Sequence, residues 1–409
     1  MPAPHLTRPL LVDCPPDGTE AFLRATMHGF HHDYDADAMG PAATLLETAR
    51  SFGHQVEGRW VSTCSSYGRE LVVPGGRVPV AAVTWVTVQP SYRRRGLLTE
   101  LMEHQLGTVT EPVALLWASE AAIYGRFGYG PAVPTRHVSG PTRQTAFRPE
   151  VELGGGSVEE VGVEEFRAVV VPLHARLLAD RPGALTRSEP WWDAALDDRP
   201  SRHPGESNQR YALHHDEAGV VDGYLCFRLP AGAPIGSGLK VRVTGLDAAS
   251  AAGQARLWRF VLDLDLVREV DAATAADDPL PHLLADPLAL TTTVAESTHA
   301  RLLDVPAALE ARRYATPVDV VLRVHDRRRP DNDDTFRLEG GPDGAAVTRV
   351  RSTPDVTLGV AELATVYLGG TSPGTLRRAG LLVEHTAGAV PGLGAALTAS
   401  RLPFSRDYF

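Results

Sequence analysis

The segment from residue 86 to residue 98 holds the residue types and spacing best suited to bind an anion. A β-branched run, Val86-Thr87-Val88, leads through a turn into an amphipathic helix that begins near Gly96. The turn contains three consecutive arginines, Arg93, Arg94 and Arg95. A helix N-terminus presents unpaired N–H groups and partial positive charge, glycine lets a ligand approach the main chain, and arginines bond phosphate oxygens. The segment predicts a pyrophosphate site, with a solvated basic helix start as the alternative.

The elements around this turn are expected in the order helices, antiparallel strands, helix, strand, helix. Apolar periodicity predicts helices within residues 19–53, separated by the polar aromatic loop Phe30-His31-His32-Asp33-Tyr34. β-Rich runs between Gly and Pro turns predict strands at residues 55–65, 70–73 and 80–88. After the turn, the pattern predicts a helix over 96–106, a strand at 113–117 and a further helix that starts at Ser119 and Glu120.

A similar order returns after Gly154-Gly155-Gly156, which predicts an internal duplication. The expected elements are a helix over 163–180, a hairpin of 211–215 and 220–228, a strand at 240–244, a helix over 248–263 and a strand at 267–270. From about Val294 a third, α+β region is expected, with strands at 318–325, 335–339, 345–350 and 356–358 before a helix over 360–367. Three of the last six residues are aromatic, so we expect the C-terminus to be docked.

Length, composition and charge exclude several classes of protein. At 409 residues, 43% of them apolar, the chain predicts about two to four packed domains. A net charge of −10 opposes binding to nucleic acid and attracts cationic amines. The sequence has no apolar run of membrane-spanning length and no signal peptide, which predicts a cytoplasmic protein without a membrane span. The three cysteines lack metal-ligand spacing, and His31 and His32 lack a third ligand, so no metal is expected.

The element order resembles the GNAT acetyltransferase fold. The acyl-CoA motif of that fold, Arg/Gln-x-x-Gly-x-Gly/Ala, falls on Arg93, Gly96 and Leu98, and Leu98 departs from it. The run Arg93–Leu98 and the later string Ala118–Pro131 are similar to the Eis family of actinobacterial acetyltransferases. Further similar strings at residues 279–284 and 305–312 extend the resemblance over nearly the whole chain.

This resemblance implies a mixed α/β, or α+β, fold class. We expect two tandem GNAT folds, the second degenerate, followed by a domain similar to sterol carrier proteins. The expected boundaries are 1–153, 154–292 and 293–409, and the C-terminal tail is expected to reach the active site. Only the first copy should bind cofactor, because the second strand-to-helix junction, Thr244-Gly245-Leu246-Asp247-Ala248, has no arginine cluster and carries an acidic residue.

The resemblance also implies roles for individual residues, with acetyl-CoA as co-substrate. The cofactor residues are expected to be Val86, Val88, Arg93, Arg94, Arg95, Gly96, Leu97, Leu98, Ser119 and Glu120. Tyr124 is implied as the general acid, because a tyrosine O–H is protonated at neutral pH, and the C-terminal carboxylate of Phe409 as a base or proton relay. Acceptor contacts are expected from Trp85, Phe30, His32 and Asp33.

The acceptor class implied is a small polycationic amine such as an aminoglycoside, and the implied assembly is a homohexamer. Protein lysine is an alternative acceptor. A non-catalytic acyl-CoA sensor is an alternative of a different class, which a thiol-release assay over a panel of amines would separate from an enzyme. Lipid binding by the last domain is a third hypothesis, and it requires an apolar tunnel there.

Overall fold

The computed structural model describes residues 8–234 and 237–409. The first region has strands β1 (Leu10–Asp13), β2 (Phe52–Val56), β3 (Arg59–Trp60), β4 (Ser62–Val73), β5 (Gly76–Val88), β6 (Val113–Trp117) and β7 (Gly130–Pro141). Its helices are α1 (Thr19–Gly29), α2 (Gly40–Leu45), α3 (Leu97–Thr108) and α4 (Ala121–Tyr124). No helix of the described residues has both the length and the apolar character that a membrane crossing requires.

The second region repeats this plan. Its strands are β8 (Ser157–Val161), β9 (Arg210–His215), β10 (Val221–Arg228), β11 (Leu239–Ala248), β12 (Val267–Thr274) and β13 (Thr291–Leu302). Its helices are α5 (Val163–Leu177), α6 (Glu189–Leu196), α7 (Ala251–Leu262) and α8 (Leu280–Leu283). The described strands of both regions form one sheet, in the order β1-β2-β4-β5-β6-β13-β7-β12-β11-β10-β9-β8, with β3 on β2.

Each half of this sheet contains the same fork. β5 runs parallel to β6 only from Val80 to Val83, and β11 runs parallel to β12 with its last paired residue at Val243. In both halves the first strand continues beyond the pairing and leads into a helix, α3 or α7. Because parallel pairing ends while the strands continue, each pair opens into a cleft at the carboxyl end of the sheet, where ligands bind in open α/β sheets. This geometry confirms the duplication expected from element order.

Several local predictions were wrong in detail. The helical stretch expected over 19–53 ends as strand β2, whose Phe52 pairs with Cys64 of β4. Strand β7 was not predicted, because Pro131 and Pro134 argue against a strand interior. Strand β13 was not predicted either, and it lies between β6 and β7, antiparallel to both. The expected boundary at 292/293 falls inside β13; the three domain divisions stay predictions.

The third region forms a separate five-stranded sheet, in the order β16-β15-β14-β17-β18. Its strands are β14 (Val318–His325), β15 (Thr335–Gly341), β16 (Gly344–Arg349), β17 (Val356–Gly359) and β18 (Leu382–Glu384), and its helices are α9 (Val305–Glu310), α10 (Val360–Tyr367), α11 (Pro373–Arg378) and α12 (Ala389–Leu397). Side chains of α10 share one buried core with β5 and β6 of the first region. A Cβ at Gly130 would lie 2.0 Å from the Ala361 carbonyl oxygen, so this docking requires glycine.

A buried ion pair joins the first sheet to the third region. Arg301 of β13 is 0% exposed and donates to Asp326 Oδ2 at 2.6 Å. Asp326 directly follows β14. Its Nε donates to the Phe127 carbonyl oxygen at 2.9 Å, three residues after Tyr124. Burial lowers the pKa of Arg301, and Asp326 opposes that effect. The contact therefore holds the Tyr124 segment against the third region.

We expect Arg301→Met to lower the free energy of unfolding by about 3–5 kcal/mol, because it leaves the Asp326 carboxylate buried without its cation. Urea unfolding of the variant and of wild type would measure the difference. The double variant Arg301→Met/Asp326→Leu should recover part of the loss, since it removes the stranded charge as well. A single variant within about 1 kcal/mol of wild type would contradict this account of the contact.

Candidate active site

The fork of the first copy opens into a cavity of about 710 Å³, called cavity 1. Beyond Val83, no described residue of β5 pairs with β6, so this side of the strand faces the cavity. Most of the sequence-predicted cofactor residues line it: Val86, Val88, Arg93, Arg94, Gly96, Leu97, Leu98, Ser119 and Glu120. The volume suits a sizeable ligand, within the range usual for small-molecule sites.

A bulge in β5 shapes the wall of cavity 1. Ser65 of β4 pairs with Thr84 and Thr63 with Thr87, so β5 holds one extra residue between these pairs. Trp85 lies in this bulge with φ +55°, and its carbonyl oxygen accepts a hydrogen bond from Thr63 Oγ1 at 2.8 Å. Its indole Nε1 donates to the Tyr67 hydroxyl at 2.8 Å. Bulges re-aim side chains next to active sites, and here the bulge directs backbone and indole toward the ligand space.

The basic turn has the geometry of an anion site. Gly96 is the N-cap of α3, with φ +86°, and no described side chain caps the helix. A Cβ at Gly96 would meet no atom within 4 Å, so the space in front of the helix is open to a ligand. Arg94, at φ +61°, also lines cavity 1. The uncapped N–H groups and the guanidinium together suit a diphosphate.

The three arginines of the turn differ in placement. Arg93 lines cavity 1 and is tethered by a hydrogen bond from Nε to the Val88 carbonyl oxygen at 3.0 Å. Arg95 does not line cavity 1: it donates to the Ser91 carbonyl oxygen at 2.8 Å and lies over the Tyr92 ring. Arg95 therefore adds charge near the turn without facing the cavity. Its assignment as a cofactor residue stays a prediction.

Tyr124, at the end of α4, lines cavity 1. Its ring is partly buried, 6.1 Å from the ring of Tyr129. Burial, with smaller contributions from Cys64 and Glu120, raises the pKa of Tyr124 to about 12. The hydroxyl therefore keeps its proton across the physiological range and can donate it.

The C-terminal tail crosses from the second region to cavity 1. Arg181 donates to the Leu402 carbonyl oxygen at 2.9 Å, and the Phe404 amide donates to the Pro182 carbonyl oxygen at 2.8 Å. Nearer the end, the Asp407 carboxylate accepts a hydrogen bond from Arg187 at 2.7 Å, and the Asp407 carbonyl oxygen accepts one from Trp117 Nε1 at 3.0 Å. The expectation of a docked terminus is confirmed.

The same tail occupies the fork of the second copy. The Arg406 guanidinium donates to the Leu246 carbonyl oxygen of β11 at 2.7 Å and to the Ala273 carbonyl oxygen of β12 at 3.2 Å. It thus bridges the two strands where they separate. Asp247, at the same junction, lies 3.6 Å from Arg401. The tail thus supplies hydrogen bonds to the main-chain carbonyl groups of the second fork. This accounts for a second copy that lacks a cofactor-binding turn.

Phe409 ends between two cavities. Its side chain is 8% exposed, and its residue lines both cavity 1 and a second cavity of about 470 Å³, called cavity 2. Trp85 and Tyr408 also line both. The terminal carboxylate forms no ion pair with a described residue. A carboxylate without a cation at such a junction can attract an ammonium group and accept a proton.

The predicted acceptor residues do not all come together. Trp85 lines both cavities and Phe30 lines cavity 1. His32 and Asp33 are exposed on the loop after α1 and line neither cavity, so their role stays a prediction. His31, which sequence reasoning placed in the same loop without assigning it a contact, lines cavity 1, and so do Trp117 and Arg126, which sequence reasoning missed. Trp117 ends the buried strand β6, and this position after a buried run was a usable signal.

The described residues contain no cluster of His, Cys, Asp or Glu that could hold a metal ion. A protonated phenol and an uncapped helix line cavity 1, and a free carboxylate belongs to the residue that lines both cavities. This arrangement can bind an anionic acyl donor on one side and place an amine on the other.

Comparisons with known proteins agree with this geometry. Residues 15–132 and 183–302 each match a family described as an acetyltransferase (GNAT) domain, and residues 305–405 match a sterol carrier protein domain. The chain is 36% identical to an uncharacterized N-acetyltransferase of Streptomyces avermitilis, with 88% of this chain and 90% of the relative covered. It is 35% identical to N-acetyltransferase Eis of Mycobacterium tuberculosis, with 81% of each covered.

Solved structures give the same result. Eis1 from Mycobacterium abscessus has a TM-score of 0.84 and 32% identity, covering 98% of this chain and 100% of the other. These matches confirm the predicted fold class of two GNAT folds followed by a sterol-carrier-protein-like domain. The chain therefore belongs to the Eis family of GNAT N-acetyltransferases.

Proposed function

We propose that this N-acetyltransferase moves the acetyl group of acetyl-CoA directly to a primary amine of a small molecule. The observation that carries the proposal is the junction of the two cavities at Trp85, Tyr408 and Phe409. Cavity 1 offers the anion-binding turn, and cavity 2 offers a separate approach for the acceptor. The amine and the acyl donor can then meet without sharing an entrance.

The chain's residues would hold acetyl-CoA, which supplies the acetyl thioester, along cavity 1. Arg93, Arg94 and the N–H groups that follow Gly96 would bind the diphosphate, with Arg95 adding charge nearby. The backbone at Val86 and Val88, which has no strand partner on the β6 side among the described residues, would bond the pantetheine arm. Ser119 and Glu120 line the opposite wall.

The Tyr124 hydroxyl and the Phe409 carboxylate would carry the two proton transfers of the reaction. The neutral amine forms a C–N bond to the acetyl carbon, and the C–S bond breaks as Tyr124 O–H gives its proton to the departing sulfur. The proton released from the amine passes to the Phe409 carboxylate and from there to water, and water returns a proton to the Tyr124 phenolate. A carboxylate is a weak base at its ordinary pKa, so attraction of the ammonium form and proton relay are its main contributions.

The similarity to proteins named Eis supports small polycations such as aminoglycosides as the first acceptor class to assay, with protein lysine as the second. A cytoplasmic location and a homohexameric assembly are proposed on the same similarity. The test is thiol release from acetyl-CoA with a panel of aminoglycosides, diamines, amino acids and a lysine peptide. Acetyl-CoA binding without thiol release across that panel would favour the acyl-CoA sensor.

We expect that adding two residues after Phe409 lowers kcat/KM by roughly 10-fold to 100-fold, because the carboxylate is moved away from the cavity junction. Thiol release with a saturating amine would measure this. The same two residues added before Met1 serve as the control. Full activity of the extended protein, with acetyl-CoA affinity unchanged, would remove the carboxylate from the mechanism.

A further inference from the structure

The charge on the wall of cavity 2 bears on which amine the site accepts, given the proposed function. Seven side chains in this wall carry a full charge at neutral pH. The cations are Arg187, Arg202, Arg228, Arg242 and Arg406, and the anions are Asp197 and Asp407. With the Phe409 carboxylate, which also belongs to this wall, five positive groups face three negative ones, an excess opposite in sign to the one expected for a site that binds polycations.

Both carboxylates already form ion pairs with arginines of this chain. Asp407 lies 2.7 Å from Arg187 and 4.0 Å from Arg69, so one buried carboxylate serves two guanidinium groups. Although burial alone would raise the pKa of Asp407, Arg187 and Arg69 hold it below its usual value. Asp197 lies 2.8 Å from Arg199, which also pairs with Asp37 at 3.2 Å. Asp407 is therefore not free to receive an ammonium group of a ligand, and Asp197 is already engaged by a shared cation.

Two of the arginines, by contrast, have no described carboxylate partner. Arg406 donates to main-chain carbonyl oxygens of Leu246 and Ala273, and Arg202 donates to those of Ala194 and Asp197. Arg228 and Arg242 differ from them, since they pair with Asp198 and Glu206 outside the wall. The surplus positive charge therefore lies at Arg406, at Arg202 and at the pair formed by Arg187 and Arg69.

Polar donors accompany this charge. Tyr211 and Tyr224 line cavity 2, and neither hydroxyl forms a hydrogen bond with a described residue. Both rings pack on Phe166, with centroids 4.4 Å and 6.0 Å away. Burial raises the pKa of Tyr224; the charge of Arg406 and, to a smaller extent, of Arg187 lowers it, while that of Asp247 raises it. An aromatic wall, two free O–H donors and surplus guanidinium charge thus meet in one place.

We infer that cavity 2 recognises an anionic group on the acceptor, so that the preferred substrate is a primary amine joined through an apolar body to a carboxylate or a phosphate. Tyr211, Tyr224, Arg187 and Arg406 would bind the anion, while the Phe409 carboxylate attracts the amine at the junction with cavity 1. Opposite charges at the two ends of the acceptor then fix its orientation. The proposed acetyltransfer reaction stays the same, but the acceptor inferred here is an anionic amine and not the polycation that the similarity to Eis puts first in the assay.

The first test uses wild-type protein and three acceptors that share one ring: 4-(aminomethyl)benzoate, benzylamine and 1,4-bis(aminomethyl)benzene. We expect kcat/KM to be about 10-fold to 100-fold higher for the carboxylate than for benzylamine, with the diamine lowest. (4-Aminomethylphenyl)phosphonate distinguishes a phosphate site from a carboxylate site, since whichever anion is preferred identifies the group recognised. Equal or higher kcat/KM for the diamine or for kanamycin would overturn the inference.

The second test separates anion recognition from a general effect on the site. In Tyr211→Phe/Tyr224→Phe and in Arg406→Gln, the ratio of kcat/KM for the carboxylate to that for benzylamine should fall several-fold. A variant that only displaced the tail would lower both rates and leave the ratio unchanged. Tyr314→Phe, in the core of the third region, is the matched control and should keep the wild-type ratio. An unchanged ratio in both test variants would contradict the assignment.

These outcomes are distinct from failure of the proposed function. If no amine in the series gives thiol release, the acetyltransfer reaction itself is refuted for these acceptors. If amines react but the anionic ones are not preferred, the reaction stands and only the anion site fails. Acetyl-CoA affinity measured by calorimetry in each variant shows that cavity 1 remains folded.

Discussion

Replacement of Tyr124 by phenylalanine is expected to lower kcat by roughly 100-fold to 10,000-fold, the range usual for loss of a general acid. The ring would keep its packing against Tyr129, so only the O–H that faces cavity 1 is removed. Acetyl-CoA affinity should stay within about twofold of wild type, because the proposed role of Tyr124 is proton donation to the sulfur and not binding of the diphosphate. Single-turnover thiol release and calorimetry would measure the two quantities separately.

Tyr92 offers a matched control, since it lines the same cavity and has no proposed role in the reaction. Tyr92→Phe should therefore retain nearly the full rate. The pH profile is a second check. Because burial raises the pKa of Tyr124 to about 12, its proton is present throughout the assay range, and kcat should rise as the amine deprotonates and not decline up to pH 10. An unchanged rate in Tyr124→Phe would remove this residue from the mechanism.

Substitution of Gly96 by glutamate is expected to raise the Kd for acetyl-CoA by roughly 100-fold. The new carboxylate would lie where the diphosphate is proposed to bind, and like charges a few ångströms apart repel by several kcal/mol at a partly buried site. The side chain would also fill the space in front of α3 that is now open, and the left-handed φ of +86° would be strained. Calorimetric titration with acetyl-CoA would measure the affinity.

Gly58→Glu is a control for the backbone strain and the added charge that Gly96→Glu introduces. This residue has φ +75° and no atom within 4 Å of its Cβ position, in the turn between β2 and β3. Gly58→Glu adds the same charge at a left-handed position away from cavity 1, so it should bind acetyl-CoA like wild type. If Gly96→Glu bound acetyl-CoA as tightly as Gly58→Glu, the turn would not be the phosphate site.

The relation between the two copies explains why one fork is open and the other closed. In the first copy the turn after β5 carries Gly96 and the arginines, and the fork leads into cavity 1. In the second copy Arg406 bonds both strands of the fork, which satisfies main-chain carbonyl groups that would otherwise need a ligand or water. The tail therefore contributes to both forks, closing one with Arg406 and reaching the other with Phe409.

The basic turn that we propose as the anion site could be predicted from sequence because all of its parts are neighbours in the chain. A β-branched strand, a basic turn, a glycine N-cap and an amphipathic helix form one local unit, and the structure places Arg93, Arg94 and Gly96 around cavity 1. Sequence reasoning also found the duplication and the family, through element order and two long strings. It could not tell that Arg95 turns back onto Ser91, since this depends on the dihedral angles of the turn.

Only the tertiary structure decided which distant residues share the active site. Trp117 and Asp407 are 290 positions apart in the chain, yet they are joined by a hydrogen bond, and β13 enters the sheet between β6 and β7 although neither is its neighbour in sequence. Residue type and periodicity report local conformation, whereas such contacts arise from how buried faces and unpaired polar groups are satisfied across the whole fold. For the same reason the charge balance of cavity 2 could not be predicted. The sequence has an excess of acidic residues, but folding pairs the wall carboxylates with arginines and leaves guanidinium groups facing the cavity.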